Sequence, residues 1–150
     1  MLRRLAVALL LAPLCVPLSA RAQEGPQPKL RTTELTLGLY RIQAEIAKSG
    51  VEQATGMMFR TAMGTNEGML FVNDDSDKRC FWMRNTLLPL SIAFIADDGS
   101  IVNVAEMAAR SDQSHCSARP VRYALEMNQG WFSKRGFKAG DKLRGGPFGK

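Results

Sequence analysis

The feature that most constrains this chain is a series of short segments in which apolar and polar residues alternate with a period of two. The clearest is 121-VRYALEMN-128, where Val, Tyr, Leu and Met fall on one side. A second segment, 34-ELTLGLYRIQAEIA-47, alternates in the same way but changes phase near Tyr40 and Arg41. Successive side chains of a strand point to opposite faces, so the pattern predicts strands, and the phase change predicts a bulge or short turn.

Further short strands are predicted between turn signals. Residues 69–72, 90–96 and 100–106 are short and mainly apolar. Asp97-Asp98-Gly99, between the last two, is typical of a hairpin because glycine tolerates the positive φ that such a turn needs.

Helical signals are few and brief. In 49-SGVEQATGMMFR-60, Ser49 and Glu52 have the spacing of a capping box, and Gly56 limits the length of the helix. The segment 130-GWFSKRG-136 is long enough for one or two turns. The sequence therefore predicts a mainly β fold, a single compact antiparallel β-barrel or sandwich with one or two short helices.

The N-terminal residues are typical of a secretory signal. Arg3 and Arg4 precede the uncharged apolar run 5–18, and Ala20-Arg21-Ala22 supplies the small residues that a signal peptidase reads. The run is shorter than the roughly 20 residues that a membrane span needs. We predict a signal peptide at residues 1–22, an exported protein that is periplasmic or secreted, and no stable membrane insertion after cleavage.

The rest of the chain divides into three parts. Residues 23–33 are polar and contain proline, which predicts a flexible lead-in; residues 34–145 form a single β domain, and residues 146–150 form a disordered tail. Removal of the signal lowers Lys+Arg from 20 to 17 against 14 Asp+Glu, so the net charge is +3 rather than +6. This weak, dispersed basic excess gives no reason to expect a nucleic-acid partner.

Two cysteines, Cys80 and Cys116, remain after the predicted cleavage. Two lone cysteines in an exported domain favour a disulfide, which would close a long loop and stabilise the fold by up to ~4 kcal/mol in the chain-entropy description. The alternative is a pair of buried free thiols.

The most apolar stretch, 80-CFWMRNTLLPLSIAFI-95, is interrupted by Arg84-Asn85-Thr86. We predict one strand at 80–84 and another at 90–96, with the triplet as their connection. Two interpretations stay open: the triplet is a turn held by its own polar side chains, or Trp82, Arg84, Asn85 and Thr86 line the mouth of a pocket. Convergence of Arg60 on the same place would make a cleft for an anion or a sugar.

Several motifs resemble a known family. They are 56-GMMFR-60, 67-EGMLFV-72, 81-FWMRNTLLPLSIAFI-95, 119-RPVRYALEMNQG-130 and 136-GFKAGDKL-143. Their order and spacing are similar to those of the domain-of-unknown-function family numbered 192, over roughly residues 35 to 144. The resemblance implies a single compact, mainly β domain that is often exported. It implies no established activity and supplies no catalytic residues.

The residues form no familiar catalytic or metal-binding arrangement. The one histidine, His115, adjoins Cys116, and neighbours in an extended chain point to opposite faces, which disfavours a nucleophile–base pair. The loop 74-DDSD-77 lacks the ligand spacing of an EF-hand. Seven methionines follow Met1, but they are dispersed over positions typical of a core. We therefore predict no catalytic residues, no metal ligands and no cofactor.

The leading hypothesis is a non-enzymatic exported β domain that binds a small molecule, a glycan or an envelope partner through Arg60 and the face around Trp82–Thr86. Two alternatives are kept. One is a hydrolase or lyase that uses Arg60, Glu126 and His115 from distant elements, and the other is a periplasmic copper-binding protein with methionine ligands.

Overall fold

The computed structural model describes residues 25–149, so the predicted signal peptide lies outside the described residues. Over this range the chain forms nine strands, one α-helix and two short 3-10 helices. The strands are β1 (Thr32–Leu37), β2 (Tyr40–Ala47), β3 (Glu67–Asp77), β4 (Cys80–Phe81), β5 (Leu90–Ile95), β6 (Ile101–Met107), β7 (His115–Cys116), β8 (Val121–Asn128) and β9 (Leu143–Gly145). The helices are α1 (Gly50–Thr55) and the 3-10 turns Ser133–Arg135 and Gly146–Phe148. None of these helices has the length and apolar composition needed to cross a membrane.

Seven strands form one curled sheet in the order β6-β5-β8-β3-β2-β1-β9, and β4 pairs separately with β7. The edges of the sheet meet at one end, where a bridge joins Ser100, just before β6, to Lys142, just before β9. The predicted mainly β fold is confirmed as a half-barrel. One pairing departs from the antiparallel expectation: β2 and β3 run parallel, because the connection that contains α1 carries the chain back to the same end of the sheet.

The local signals in the sequence correspond to real turns and caps. The phase change near Tyr40 is the tight turn between β1 and β2, with Gly38 at φ +57°. Ser49 and Glu52 form the complete capping box of α1, each side chain accepting a hydrogen bond from the other's backbone. The predicted hairpin joins β5 to β6, with Gly99 at φ +87° and so close to the Leu143 carbonyl that an added Cβ would lie 2.4 Å from its oxygen.

Both faces of the sheet centre are buried. β5 is buried at all six positions, as a mainly apolar strand covered on two sides should be. One core cluster contains residues of both edge strands, Ile101 of β6 and Leu143 of β9. It therefore fills the inside of the curled sheet. The other core lies on the outer face, where Met57 and Met83 pack over residues of β3, β5 and β8. Side chains of β8 that point away from the curl therefore lie under a second layer and not in water.

Residues near both ends of the described range contact the rest of the domain. The side-chain amide of Gln27 is buried and donates to the carbonyl oxygens of Glu52 and Gly56, at 3.1 and 2.9 Å. β1 begins at Thr32, before the predicted domain start. The ring of Phe148 packs edge-on against Tyr123, with centroids 4.9 Å apart. Gln27 and Phe148 are therefore packed against the domain.

The predicted strand at 80–84 is shorter than expected, because β4 ends at Phe81. Cys80 and Cys116 lie directly opposite each other across β4 and β7 and are joined by a disulfide, with their Cα atoms 4.0 Å apart. The side chain of Asn103 holds this small sheet to β6: its amide donates to the Cys116 carbonyl at 3.2 Å, and its oxygen accepts from the Ala118 N–H at 2.9 Å. β4 is thus fixed as part of the outer layer.

Candidate functional site

A cavity of about 350 Å³ lies on the outer face of the sheet. The sheet contributes Phe71 and Asn73 of β3 and Glu126 of β8 to its lining, and the outer layer contributes residues of α1, the segment 56–58 and β4. Ligand pockets of proteins begin at about this volume. The cavity is therefore large enough for a small organic molecule.

Glu126 is the most unusual residue of the lining. It lies on the central strand β8, opposite Met69 on one side and Ile92 on the other, and is only 4% exposed. No described residue donates a hydrogen bond to its carboxyl group or forms an ion pair with it. Burial alone raises the pKa of Glu126 from its ordinary value of 4.5 to about 8, because a charged carboxylate loses its hydration there. At neutral pH the carboxyl group is mainly protonated.

Asn73, Thr86 and Arg79 line the same cavity, as do Gln53 and Thr55 of α1. The Asn73 amide donates to the Arg122 carbonyl at 2.9 Å, which leaves the amide oxygen without a described donor. The Thr86 hydroxyl makes no hydrogen bond to a described residue, although Thr86 is only 5% exposed. Arg79 donates to the Asp75 carbonyl at 3.0 Å and forms an ion pair with the Asp75 carboxylate.

Aromatic rings form part of the wall. Phe71 and Phe81 meet edge to face, with centroids 4.9 Å apart, and Trp82 follows at the rim, 49% exposed. The guanidinium of Arg84 lies 4.2 Å from the centre of the Trp82 ring, and its Nε donates to the Asp112 carboxylate at 2.8 Å. The rim therefore has one aromatic ring that already attracts a cation.

The turn that carries Thr86 is held by an unusual backbone arrangement. Among residues 25–149, the non-glycine residues with positive φ are Phe59, Asn85 and Arg110, at 61°, 60° and 57°. The Phe59 N–H donates to the Asn85 carbonyl, and the Arg110 N–H donates to the Thr86 carbonyl, both at 2.9 Å. Asparagine adopts this left-handed conformation readily, whereas Phe and Arg do so at some cost in free energy. The two bonds engage the carbonyl groups of Asn85 and Thr86, on either side of the Thr86 Cα, and fix Thr86 in the wall of the cavity.

The structure combines the two interpretations of the polar triplet. Asn85 forms the turn, Thr86 lines the cavity beside Trp82, and Arg84 stacks on Trp82 at the rim. Arg60 lies elsewhere: its two terminal nitrogens donate to the Glu45 carboxylate at 3.0 and 2.9 Å, in a pair whose side chains are 10% and 11% exposed. Arg60 does not line the cavity. It serves instead as the counter-ion that the buried Glu45 carboxylate requires.

The set of residues considered for a hydrolase or lyase is not gathered around this cavity. Glu126 lines it, but Arg60 is paired with Glu45. His115 lies on β7, paired in backbone register with Phe81, and does not line the cavity.

In the sequence, Glu126 occupies a polar position of an alternating strand, which is typical of a solvated face. The signal that would have placed it correctly is the run Leu90–Ile95, apolar except for Ser91, which is typical of a strand buried on both faces. Because β8 is the neighbour of β5, both of its faces are covered as well.

Comparisons with known proteins agree with this architecture. The chain is similar to a protein from Sinorhizobium meliloti 1021 whose crystal structure is described as that of a suggested transcription regulator. The sequence identity is 30%, the match covers 81% of this chain and 98% of that chain, and the TM-score is 0.77. It is also similar to a protein of unknown function from Novosphingobium aromaticivorans DSM 12444, with 35% identity, 81% and 92% coverage and a TM-score of 0.74. Among curated proteins none matches. The profile of the DUF192 family, described as "Uncharacterized ACR, COG1430", matches residues 32–145, and the chain therefore belongs to that family.

Proposed function

We propose that this protein is a small-molecule-binding module whose ligand occupies the cavity beside α1, β4 and β8. The observation that carries the proposal is Glu126, a carboxyl group that is 4% exposed, borders a cavity and has no described hydrogen-bond partner. Polar groups on residues this buried are normally hydrogen-bonded within the protein. A ligand in the cavity would supply the missing partner.

The surroundings of Glu126 support binding by a preformed site. Thr86 is held by the backbone bonds from Phe59 and Arg110, and β4 is fixed by the disulfide and by Asn103. Rigid walls lower the entropy that is lost on binding. The combination of apolar and aromatic walls with a few polar groups is typical of small-molecule sites.

The size of the cavity favours a small molecule over a glycan chain or an envelope protein. About 350 Å³ accommodates one ring with a short substituent. A longer glycan would have to extend over the rim, where Arg84 already covers one face of Trp82.

Melting shifts test the proposal with a library of ring-sized fragments. We expect ligands that raise the melting temperature of the natural protein to lose most of that shift in Thr86→Val and Trp82→Ala. Glu34→Gln serves as the control, because Glu34 is exposed and distant in the fold, on β1. Shifts that stay unchanged in both cavity variants while these remain folded would place the binding site elsewhere.

We also propose that the module is exported. The arginine pair followed by an apolar run and small residues at 1–22 supports this, and so does the Cys80–Cys116 disulfide, since disulfides persist mainly in oxidising compartments. N-terminal sequencing of protein from its native cells should find Gln23 as the first residue. A cytoplasmic fraction that retains Met1 would refute export.

A further inference from the structure

We infer that the ligand of this cavity is a small organic cation, an amine or a methylated ammonium, held by the Glu126 carboxylate against the aromatic wall. This inference rests on the proposed function and adds the chemical class of the ligand. It follows from the charged groups, the hydrogen-bond acceptors and the aromatic rings that border the cavity.

The net charge offered to a ligand is negative once Glu126 is ionised. Glu126 and Arg79 are the ionisable side chains among the described lining residues, since Cys80 is held in the disulfide. Arg79 is already compensated by its ion pair with Asp75. The sheet neighbours that flank Glu126 in register, Met69 and Ile92, carry no charge. Glu126 is therefore the one uncompensated ionisable group of this lining.

The polar groups that lack described partners are mostly oxygen acceptors. They include the Glu126 carboxyl, the side-chain oxygen of Asn73 and the hydroxyl of Thr86, which also donates; the buried Nε–H of Arg79 is a donor that likewise lacks a partner. An ammonium group has up to three N–H donors and no acceptor, so it is complementary to such a set. A carboxylate or phosphate ligand would instead need several donors, and Arg79 has one terminal nitrogen engaged with Asp75 and offers a single buried Nε–H.

The aromatic wall favours the same class of ligand. Phe71, Phe81 and Trp82 line the cavity, and aromatic faces attract cations through the negative potential above the ring. The stacking of Arg84 on Trp82 at 4.2 Å is an example of that attraction at the rim. Aromatic rings are a recurrent solution for binding methylated ammonium groups in proteins.

Binding of a protonated amine would ionise Glu126. The neutral carboxyl group and the ammonium ligand form a carboxylate–ammonium pair in the complex, and one proton is released to solvent. Charge and atoms therefore balance. Because burial raises the pKa of Glu126 to about 8, the affinity for a permanently protonated ligand should rise about tenfold per pH unit below pH 8. It should level off above that pH.

Three probes of one shape test the class of ligand: benzylamine, benzyl alcohol and benzoate. Titration calorimetry at pH 6, 7 and 8, in two buffers of different ionisation enthalpy, measures both affinity and proton release. We expect benzylamine to bind at least about tenfold more tightly than benzyl alcohol at pH 8, with about one proton released per ligand at pH 7. Benzoate should bind more weakly than both.

Variants assign the effect to the cavity. Glu126→Gln should abolish the preference for benzylamine and its pH dependence while benzyl alcohol still binds, because glutamine keeps the shape but not the charge. Trp82→Ala should weaken benzylamine binding by about fivefold. The control Glu34→Gln should behave like the natural protein.

The outcomes separate the two proposals. If benzyl alcohol or benzoate binds as tightly as benzylamine, and Thr86→Val weakens that binding, the cavity is a ligand site but the cation class is refuted. If benzylamine binds equally well to the natural protein and to Glu126→Gln, the role of Glu126 is refuted. If no probe binds and the fragment shifts are insensitive to the cavity variants, both the cation inference and the proposed function are refuted.

Discussion

The replacement Glu126→Gln should make the protein more stable at neutral and alkaline pH. Glu126 lies on the central strand, almost fully buried, and its pKa in the folded state is about 8, against an ordinary value of 4.5. The folded state therefore binds a proton more tightly than the unfolded state does. The stability associated with this group is fully present below about pH 4.5 and is lost as the pH rises toward 8.

The size of the effect follows from that interval. Each pH unit across which the two states differ by one proton changes the free energy of unfolding by about 1.4 kcal/mol. Over the interval from 4.5 to 8 the natural protein should lose at most about 5 kcal/mol. This is a large part of the 5–15 kcal/mol that is typical of a whole domain, so the slope should be easy to measure.

Three carboxylates with a lowered pKa leave this interval nearly undisturbed. Backbone hydrogen bonds lower the pKa of Glu52, Glu67 and Asp98, through the N–H groups of Ser49, Gly64 and Ser100 respectively. Their stabilising effects are present at neutral pH and are lost only in acid, so they act on the other side of the profile.

Urea denaturation at pH 5, 6, 7 and 8 provides the measurement, with Glu34→Gln as the exposed control. The natural protein and the control should lose stability steadily from pH 5 to pH 8, whereas Glu126→Gln should show a much flatter profile and exceed them by several kcal/mol at pH 8. Equal slopes for Glu126→Gln and the natural protein would show that Glu126 is not a buried, protonated acid.

Three further changes test the supports of the site. Reduction, or Cys80→Ser, should lower the free energy of unfolding by about 2–4 kcal/mol in urea titrations, because β4 loses its covalent link; an unchanged midpoint would contradict this. Arg60→Met should lower the free energy of unfolding by about 3–5 kcal/mol, because it leaves Glu45 buried without its counter-ion, and adding Glu45→Gln should recover most of that loss. The control Arg41→Met, on the surface, should have little effect. Asn85→Gly should be nearly neutral in thermal melting and Asn85→Val should cost about 1–3 kcal/mol, because φ is 60° there; similar melting temperatures would argue against a strained turn.

The sequence by itself determined the local structure of this protein. Alternation in 121–128 predicted strand β8, and the break near Tyr40 predicted the turn between β1 and β2. Ser49 with Glu52 predicted the cap of α1. Each of these features depends on residues within a few positions of one another, so its physical cause can be read along the chain. The family resemblance, drawn from motifs in order, is likewise confirmed by the match over residues 32–145.

The tertiary structure decided the site. The partner of Arg60 is 15 positions away in sequence, and no local pattern indicates that it binds Glu45 rather than the region of Trp82. The parallel pairing of β2 with β3 depends on the path of the chain around α1. Glu126 occupies a polar position in an alternating strand, and only the covering of both sheet faces turns that position from a solvated one into the wall of a cavity. Burial depends on layers that distant segments build together, and a strand's own alternation carries no record of them.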